Sequence, residues 1–144
     1  MIEAIRAWWH NWRTPPDLPV HIRRGRLGED AARQYLVRAG LEFLIANYRS
    51  HRGELDLVFR EHDCLVIVEV KTRSQGAWLR PAAAVNARKR RRLSLAALDY
   101  LRELRNPPIR IRFDIVEVIL RNGQVAQVRH LRNSFSLSPP YRYG

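Results

Sequence analysis

Gly53-Glu-Leu-Asp-Leu-Val-Phe-Arg60, Glu61-His-Asp-Cys64 and Leu65-Val-Ile-Val-Glu-Val-Lys-Thr-Arg73 form the continuous stretch around which this chain is organised. Two apolar runs rich in Val, Leu, Ile and Phe, separated by a short polar connector, predict the two strands of a β-hairpin. Three charges interrupt them: Asp56, Glu69 and Lys71. If the connector closes tightly, Glu61 faces Cys64, Phe59 faces Val66, Leu57 faces Val68, Asp56 faces Glu69 and Glu54 faces Lys71. Opposed residues project to the same side of a sheet with Cβ atoms about 5 Å apart, so this register forces two carboxylates together. The connector His62-Asp63 lacks the glycine of an ideal two-residue turn. A slip of one residue would send Asp56 and Glu69 to opposite faces.

Like charges placed opposite each other are destabilising, so a cation belongs between these two carboxylates. Lys71, two residues after Glu69 and on its face, supplies part of the charge. A hard divalent ion, Mg²⁺ or Mn²⁺, which prefers oxygen ligands and water, would supply the rest. Such an ion beside a lysine points to phosphodiester hydrolysis, because it acidifies water and offsets charge developing on phosphate, while Lys71 orients or deprotonates the water or acts as a cation. Spacing alone serves equally well for a plain salt bridge of Lys71 with Asp56 or Glu69. His51 and His62 are isolated, and no Cys/His cluster offers a zinc site.

Upstream, residues 25–40 predict a helix opened by Gly28, with acids in its first turn, and closed by Gly40. Its stripe is Ala32, Tyr35, Leu36 and Ala39. Glu29 shares that face, which suits both a carboxylate aimed at the body of the protein and a helix-dipole acid, a role open to Asp30 as well. Residues 41–50 predict a strand. After the hairpin and a loop at 74–78, Pro81 is expected to start a helix running to about residue 105, with Val85, Lys89, Leu93, Ala96 and Tyr100 on one stripe, widened by Ala97, Leu101 and Leu104. Within the basic block Arg88-Lys89-Arg90-Arg91-Arg92, that spacing turns Lys89 inward and Arg90 and Arg91 outward. Residues 109–120 and 124–131 predict a second hairpin turning at Asn122-Gly123. The order of elements implies an α/β sandwich around a mixed sheet.

The 144 residues suit one domain that buries roughly 70% of its unfolded surface. Its parts are expected to be a Trp-rich segment and Pro linker at 1–20, the main domain at 21–135 and a loose tail at 136–144. Residues 1–13 carry Ile2, Ile5, Trp9 and Trp12 at helical spacing, with Trp8 beside them; Pro15, Pro16 and Pro19 follow. An anchor for a partner, a second subunit or a membrane surface fits this pattern, and a helix folded back on its own domain or a frayed terminus fits it equally. One cysteine, Cys64, excludes an intrachain disulfide and suits a reducing compartment, as an inert core residue. The lack of a long apolar run argues against stable membrane insertion, and a cytoplasmic location is expected. With 26 Lys and Arg against 14 Asp and Glu, the net charge is +12. That favours a polyanionic partner, nucleic acid ahead of an anionic membrane.

Asp56, twelve intervening residues and then Glu69-Val70-Lys71 resemble the core of the PD-(D/E)xK nuclease superfamily. Gly25-Arg-Leu-Gly-Glu-Asp-Ala-Ala, Arg52-Gly-Glu-Leu-Asp-Leu-Val, Val68-Glu-Val-Lys-Thr-Arg, Ala87-Arg-Lys-Arg-Arg-Arg-Leu and Arg112-Phe-Asp-Ile-Val together resemble the YraN-like (UPF0102) family of predicted endonucleases, similar to archaeal Holliday-junction resolvases. The resemblance runs from about residue 24 to 135 and leaves the first 20 residues untouched. It implies a three-layer, restriction-endonuclease-like α/β/α fold. It also implies Asp56, Glu69 and the main-chain carbonyl of Val70 as metal ligands, Lys71 as the catalytic lysine, and Glu29 and Lys89 as supporting residues. Leu55 stands where the superfamily motif has proline. The expected function is a Mg²⁺- or Mn²⁺-dependent endonuclease on branched, flapped or single-stranded DNA. Arg73, Arg88, Arg90, Arg91 and Arg92 would contact phosphates, and a homodimer would suit a two-fold substrate. The competing reading is a nucleic-acid-binding or adaptor module on a nuclease fold with weak or no catalysis.

Overall fold

The hairpin forms in the expected register. In a computed structural model that describes residues 19–76 and 85–144, strand β2 (Gly53–Glu61) pairs antiparallel with β3 (Cys64–Ser74), with Glu61 opposite Cys64, Phe59 opposite Val66 and Leu57 opposite Val68. His62 makes the turn without glycine by taking φ 54° itself. Strand β1 (Glu42–Ser50) lies on the outer side of β2. On the other side, β3 pairs in parallel with β4 (Arg110–Arg121), which turns at Asn122-Gly123, both at positive φ, into β5 (Gln124–Phe135). The five-stranded sheet has the order β1-β2-β3-β4-β5 and is mixed.

A parallel pair needs a crossover, and the helix between β3 and β4 supplies it. This helix, α2 (Ala87–Glu103), packs Leu93, Ala96, Ala97, Tyr100 and Leu101 onto Leu55, Val58, Leu65, Ile67, Phe113 and Ile115. The opposite face is covered by α1 (Val20–Arg38), whose Ala32 and Leu36 meet Leu57, Phe59, Val66, Val68, Val116 and Val118. In β3 the sequence Leu65-Val66-Ile67-Val68 sends alternate side chains to the two cores, as a strand buried on both faces must. The result is three layers, helix on mixed sheet on helix, the restriction-endonuclease-like arrangement.

Several boundaries differ from the sequence expectation. Helix α1 starts eight residues before Gly28, with Pro19 at its N-cap, so its first turn holds no acid and Glu29 sits mid-helix. Gly28 is there for contact: a Cβ would lie 1.8 Å from Thr72 Oγ1 and 3.0 Å from its Cβ, so only glycine lets α1 approach β3 this closely. Gly40 ends the helix at φ 97°, as expected. Helix α2 starts at Ala87, capped by the Asn86 side chain, which accepts the Lys89 N–H at 2.9 Å. Pro81, Trp78 and the Trp-rich segment 1–18 lie outside the described residues. Leu104, placed on the packing stripe by spacing, is exposed because the helix ends before it. Strand β5 runs four residues further than expected, to Phe135, which stacks on Phe113.

The last residues, expected as a loose tail, make defined contacts. Ser138 N–H donates to the Ser94 hydroxyl at 3.0 Å, Arg91 to the Tyr141 hydroxyl at 3.2 Å, and the Tyr143 hydroxyl to the Pro107 carbonyl. Leu137 and Tyr143 pack on the α2-side core. Apolar side chains in an aperiodic stretch carry no register, which is why spacing overlooked them. Among the described residues no helix is long and apolar enough to cross a membrane.

Candidate functional site

The β2–β3 ladder ends at Leu57 and Val68, one step short of the carboxylates. Beyond that point β2 twists away: Leu55 joins the α2-side core and Leu57 the α1-side core, although residues two apart in a regular strand share a face. Opposite Asp56 in the β1 register stands Asn47, held at φ 52°. The expected pairs Asp56 with Glu69 and Glu54 with Lys71 are therefore not ladder pairs. Glu54 points to solvent and pairs with Arg49 at 3.1 Å.

The side chain of Asp56 takes over the missing rung. Its Oδ2 accepts the Val70 N–H at 2.9 Å. The N–H and C=O of one strand residue point to the same edge, so the Val70 carbonyl faces this gap as well. The gap opens into a cleft of about 400 Å³ lined by His21, Arg24, Gly25, Glu29, Asp56, Glu69, Val70, Thr72 and Ser74. Asp56 and Glu69 thus reach one cleft by divergence of the strands rather than by lying rung to rung.

The electrostatics follow from burial. Glu69 is 3% exposed, and its Oε1 receives two lysines, Lys89 Nζ at 3.1 Å and Lys71 Nζ at 3.4 Å. The plain salt bridge is thus present for Lys71 with Glu69 and absent for Lys71 with Asp56. Among the described residues Asp56 has no such cation in contact. Burial, then the charge of Glu69, pushes its carboxyl up to about 7, against the pull of the Val70 N–H. Glu29, on the α1 face that carries Ala32 and Leu36, is also raised, first by burial, while a hydrogen bond with Asn47 lowers it and the charges of Asp30 and Glu69 raise it. Three carboxylates from α1, β2 and β3 therefore sense one another. Among the described residues no three Asp, Glu, His or Cys side chains close into a single ligand cluster.

The flanking scaffold is held by charge. Arg52 reaches from the β1–β2 turn to Asp99 on α2 with two hydrogen bonds, through Nε at 3.0 Å and through its second amino group. Asp99 is drawn down to about 2 by that hydrogen bonding. A Cβ at Gly53 would lie 2.6 Å from the Arg92 carbonyl oxygen, so this turn and α2 are in backbone contact. Cys64 is buried and its thiol is pushed up by burial, in keeping with a core residue.

The basic residues divide into two groups. Arg88, Arg91 and Arg92 are exposed at the start of α2, beside the lysine that reaches Glu69. Arg90, expected to point away, is half-buried: its Nε donates to the Val85 carbonyl at 2.9 Å and its guanidinium lies over the Phe135 ring. Arg73 is turned inward, 10% exposed, with Glu117 Oε1 at 3.6 Å. Neither guanidinium is presented to solvent as a free phosphate contact. Spacing missed the reason: the capped first turn of α2 and the strand β4 each put an acceptor where a solvated side chain was expected. Asn47, His21, Arg24, Thr72 and Ser74 also went unread. A non-glycine residue at positive φ gives little sign in sequence beyond asparagine's tolerance of it, and the others become neighbours only once α1 lies on β3.

Residues 28–118 match the family described as "Uncharacterised protein family UPF0102". The chain is 44% identical over 115 residues to a UPF0102 protein of Rhodococcus opacus (strain B4), covering 80% of this chain and 98% of the relative. It is 38% identical over 115 residues to a UPF0102 protein of Trichlorobacter lovleyi, covering 79% and 91%. With a UPF0102 protein of Porphyromonas gingivalis it shares 41% identity over 118 residues, covering 81% and 87%. The matched region spans Glu29, Asp56, Glu69, Lys71 and Lys89 and omits the Trp-rich segment.

Proposed function

The chain belongs to the UPF0102 family, and we propose that it is a metal-dependent endonuclease that hydrolyses phosphodiester bonds of DNA, selecting structure rather than sequence. The observation that carries this reading is the convergence of Asp56 and Glu69 on one cleft, where Asp56 has no cation in contact among the described residues and its carboxyl is pushed up to about 7. Two buried carboxylates that repel each other are a poor structural choice and a good receptacle for a hard divalent ion. Asp56, Glu69 and the Val70 carbonyl would hold Mg²⁺ or Mn²⁺, with Glu29, which lines the same cleft, as a supporting carboxylate. When bound, the ion supplies Lewis acidity toward the phosphate and acidifies water.

The remaining steps belong to this chain's residues. Val70 N–H fixes the orientation of the Asp56 carboxylate through Oδ2 and leaves Oδ1 for the cleft. Lys89 holds one oxygen of Glu69 from the α2 side. That frees Lys71, 25% exposed on its side chain, to swing from Glu69 toward a phosphate or a water. Arg88, Arg91 and Arg92 supply a basic surface at the start of α2, beside the lysine that reaches Glu69, and phosphate contacts of this kind position a backbone without reading bases. The net charge of +12 supports a polyanionic substrate.

The test is cleavage of labelled duplex, flap, single-stranded and four-way DNA with Mg²⁺ or Mn²⁺, comparing the wild type with Asp56→Asn and Lys71→Ala. Metal-dependent cutting that falls by about 10²-fold or more in both variants is expected. Tight binding without cutting on every substrate would instead support a nucleic-acid-binding module, and cutting that survives both substitutions would sink the assignment of the site.

A further inference from the structure

The cleft has two chemically different halves. Glu29, Asp56 and Glu69 make one acidic; His21, Arg24, Thr72 and Ser74 make the other basic and hydroxyl-bearing, with Gly25 between them. We propose that this second half is a subsite for a non-reacting phosphodiester of the nucleic-acid strand, adjacent to the phosphate at the carboxylates. The assignment deepens the nuclease reading and rests on it for the identity of the strand.

Two parallel tracks build the subsite. On α1, His21, Arg24, Gly25, Gly28 and Glu29 recur at helical spacing along one stripe. Arg24 precedes Glu29 by five residues, about 7.5 Å along the axis, which is comparable with the separation of successive phosphates on a strand. On β3, Val70, Thr72 and Ser74 alternate onto the side that faces α1: Val70 packs in the α1-side core, Thr72 meets Gly28, and Ser74 meets Arg24. Carboxylate station and guanidinium station therefore follow each other along one channel between a helix and a strand.

Arg24 contrasts with the arginines that the fold ties to carboxylates. Arg52, Arg73, Arg112, Arg129 and Arg132 each pair with a carboxylate. Arg24 instead donates to the neutral hydroxyl of Ser74, and among the described residues no carboxylate pairs with it. The hydroxyl orients the guanidinium along the cleft without neutralising it, and an oriented, uncompensated guanidinium is the group best matched to the paired oxygens of a phosphate. Gly25 keeps the wall back: among the described residues a Cβ there meets nothing within 4 Å, so a larger side chain would enter open cleft rather than core. A glycine inside a helix costs about 1 kcal/mol relative to alanine, and here it preserves the space a backbone would fill. A polyanion approaching Glu29, Asp56 and Glu69 is repelled, and a cation one station away gives it a hold.

The test is fluorescence anisotropy with labelled oligothymidylate in EDTA, where nothing is cut, over a range of salt. Arg24→Ala should weaken binding about 5- to 30-fold and lower the slope of log K against log salt by about 0.7, the loss of one single-strand phosphate contact. Gly25→Leu, which keeps the charge and favours the helix, should weaken binding by filling the cleft. Arg38→Ala, the same charge change at the other end of α1, should leave affinity and slope within twofold of wild type. Wild-type affinity and slope in Arg24→Ala, or equal losses in Arg24→Ala and Arg38→Ala, would overturn the subsite. Absence of cleavage on every substrate with the Arg24 effect intact would sink the nuclease reading alone.

Discussion

Asp56→Asn is expected to make the metal-free protein more stable while destroying its activity, and the pH dependence of that gain is diagnostic. The carboxyl is raised from an ordinary 3.8 to about 7 by burial and by Glu69. A group whose folded pKa lies above its unfolded value contributes stability that is fully present below the unfolded value and is lost as pH rises through the folded one. Ionising Asp56 in the folded protein therefore costs up to about 3.2 × 1.36, or about 4 kcal/mol, and relaxation or water entry in the half-buried cleft brings the expectation to about 2–4 kcal/mol. An asparagine keeps an acceptor for the Val70 N–H and carries no charge. Urea unfolding in EDTA at pH 4, 6 and 8.5 should show a gap that is small at pH 4, opens between about 4 and 7 and saturates above 8. Adding Mn²⁺ at a hundredfold excess over its Kd should return about 2.7 kcal/mol to the wild type and little to the variant, narrowing the gap. A variant less stable than wild type at pH 8.5, or a gap that does not change with pH, would refute the electrostatic account of the cleft.

Gly28→Ala should destabilise the protein by about 2 kcal/mol or more, because its Cβ meets Oγ1, Cβ and Cγ2 of Thr72 together and no rotation of that side chain clears all three. Adding Thr72→Ala should restore a large part of the loss, and a double-mutant cycle without coupling would show that the contact is not the cause. Arg52→Ala should lower the urea midpoint and raise the pH of acid unfolding. Asp99 is held down to about 2 in the fold, so the stability it contributes is present above 3.8 and lost as pH falls through 2; without the guanidinium that loss begins at higher pH. An unchanged acid transition would mean that the Arg52–Asp99 pair carries no folding energy.

The hairpin register was legible from the connector: tight closure at His62-Asp63 sets Glu61 opposite Cys64, and Phe59 with Val66 and Leu57 with Val68 follow. The layers were legible from helical period, since Ala32 with Leu36 and Leu93 with Ala96, Ala97, Tyr100 and Leu101 can only be the inner stripes of two helices. What could not be read was the failure of that regularity. Nothing in the pattern says that the ladder stops after Leu57, that Asn47 turns to positive φ opposite Asp56, or that a side-chain oxygen replaces a backbone carbonyl at Val70. These are tertiary choices made by α1 and α2 pressing on the two faces, and they decide which groups share the cleft. Helix ends were misread because caps act locally: Pro19 starts α1 early, and Asn86 starts α2 late.

Had the ladder continued through Asp56 and Glu69, their main chains would have been consumed in pairing and the two carboxylates would have stood side by side with no room for a third group. Divergence at that step brings both carboxylates to one cleft with Val70, whose N–H bonds Asp56, and lets α1 lay Glu29 and Arg24 along the opening. The motif acids sit where the sheet comes apart. A sequence that places like charges in register within an apolar hairpin thus signals less that the charges touch than that the strands must part to accommodate them. The same divergence creates the channel in which Arg24, held by Ser74 and without a carboxylate partner among the described residues, sits one station from the carboxylates.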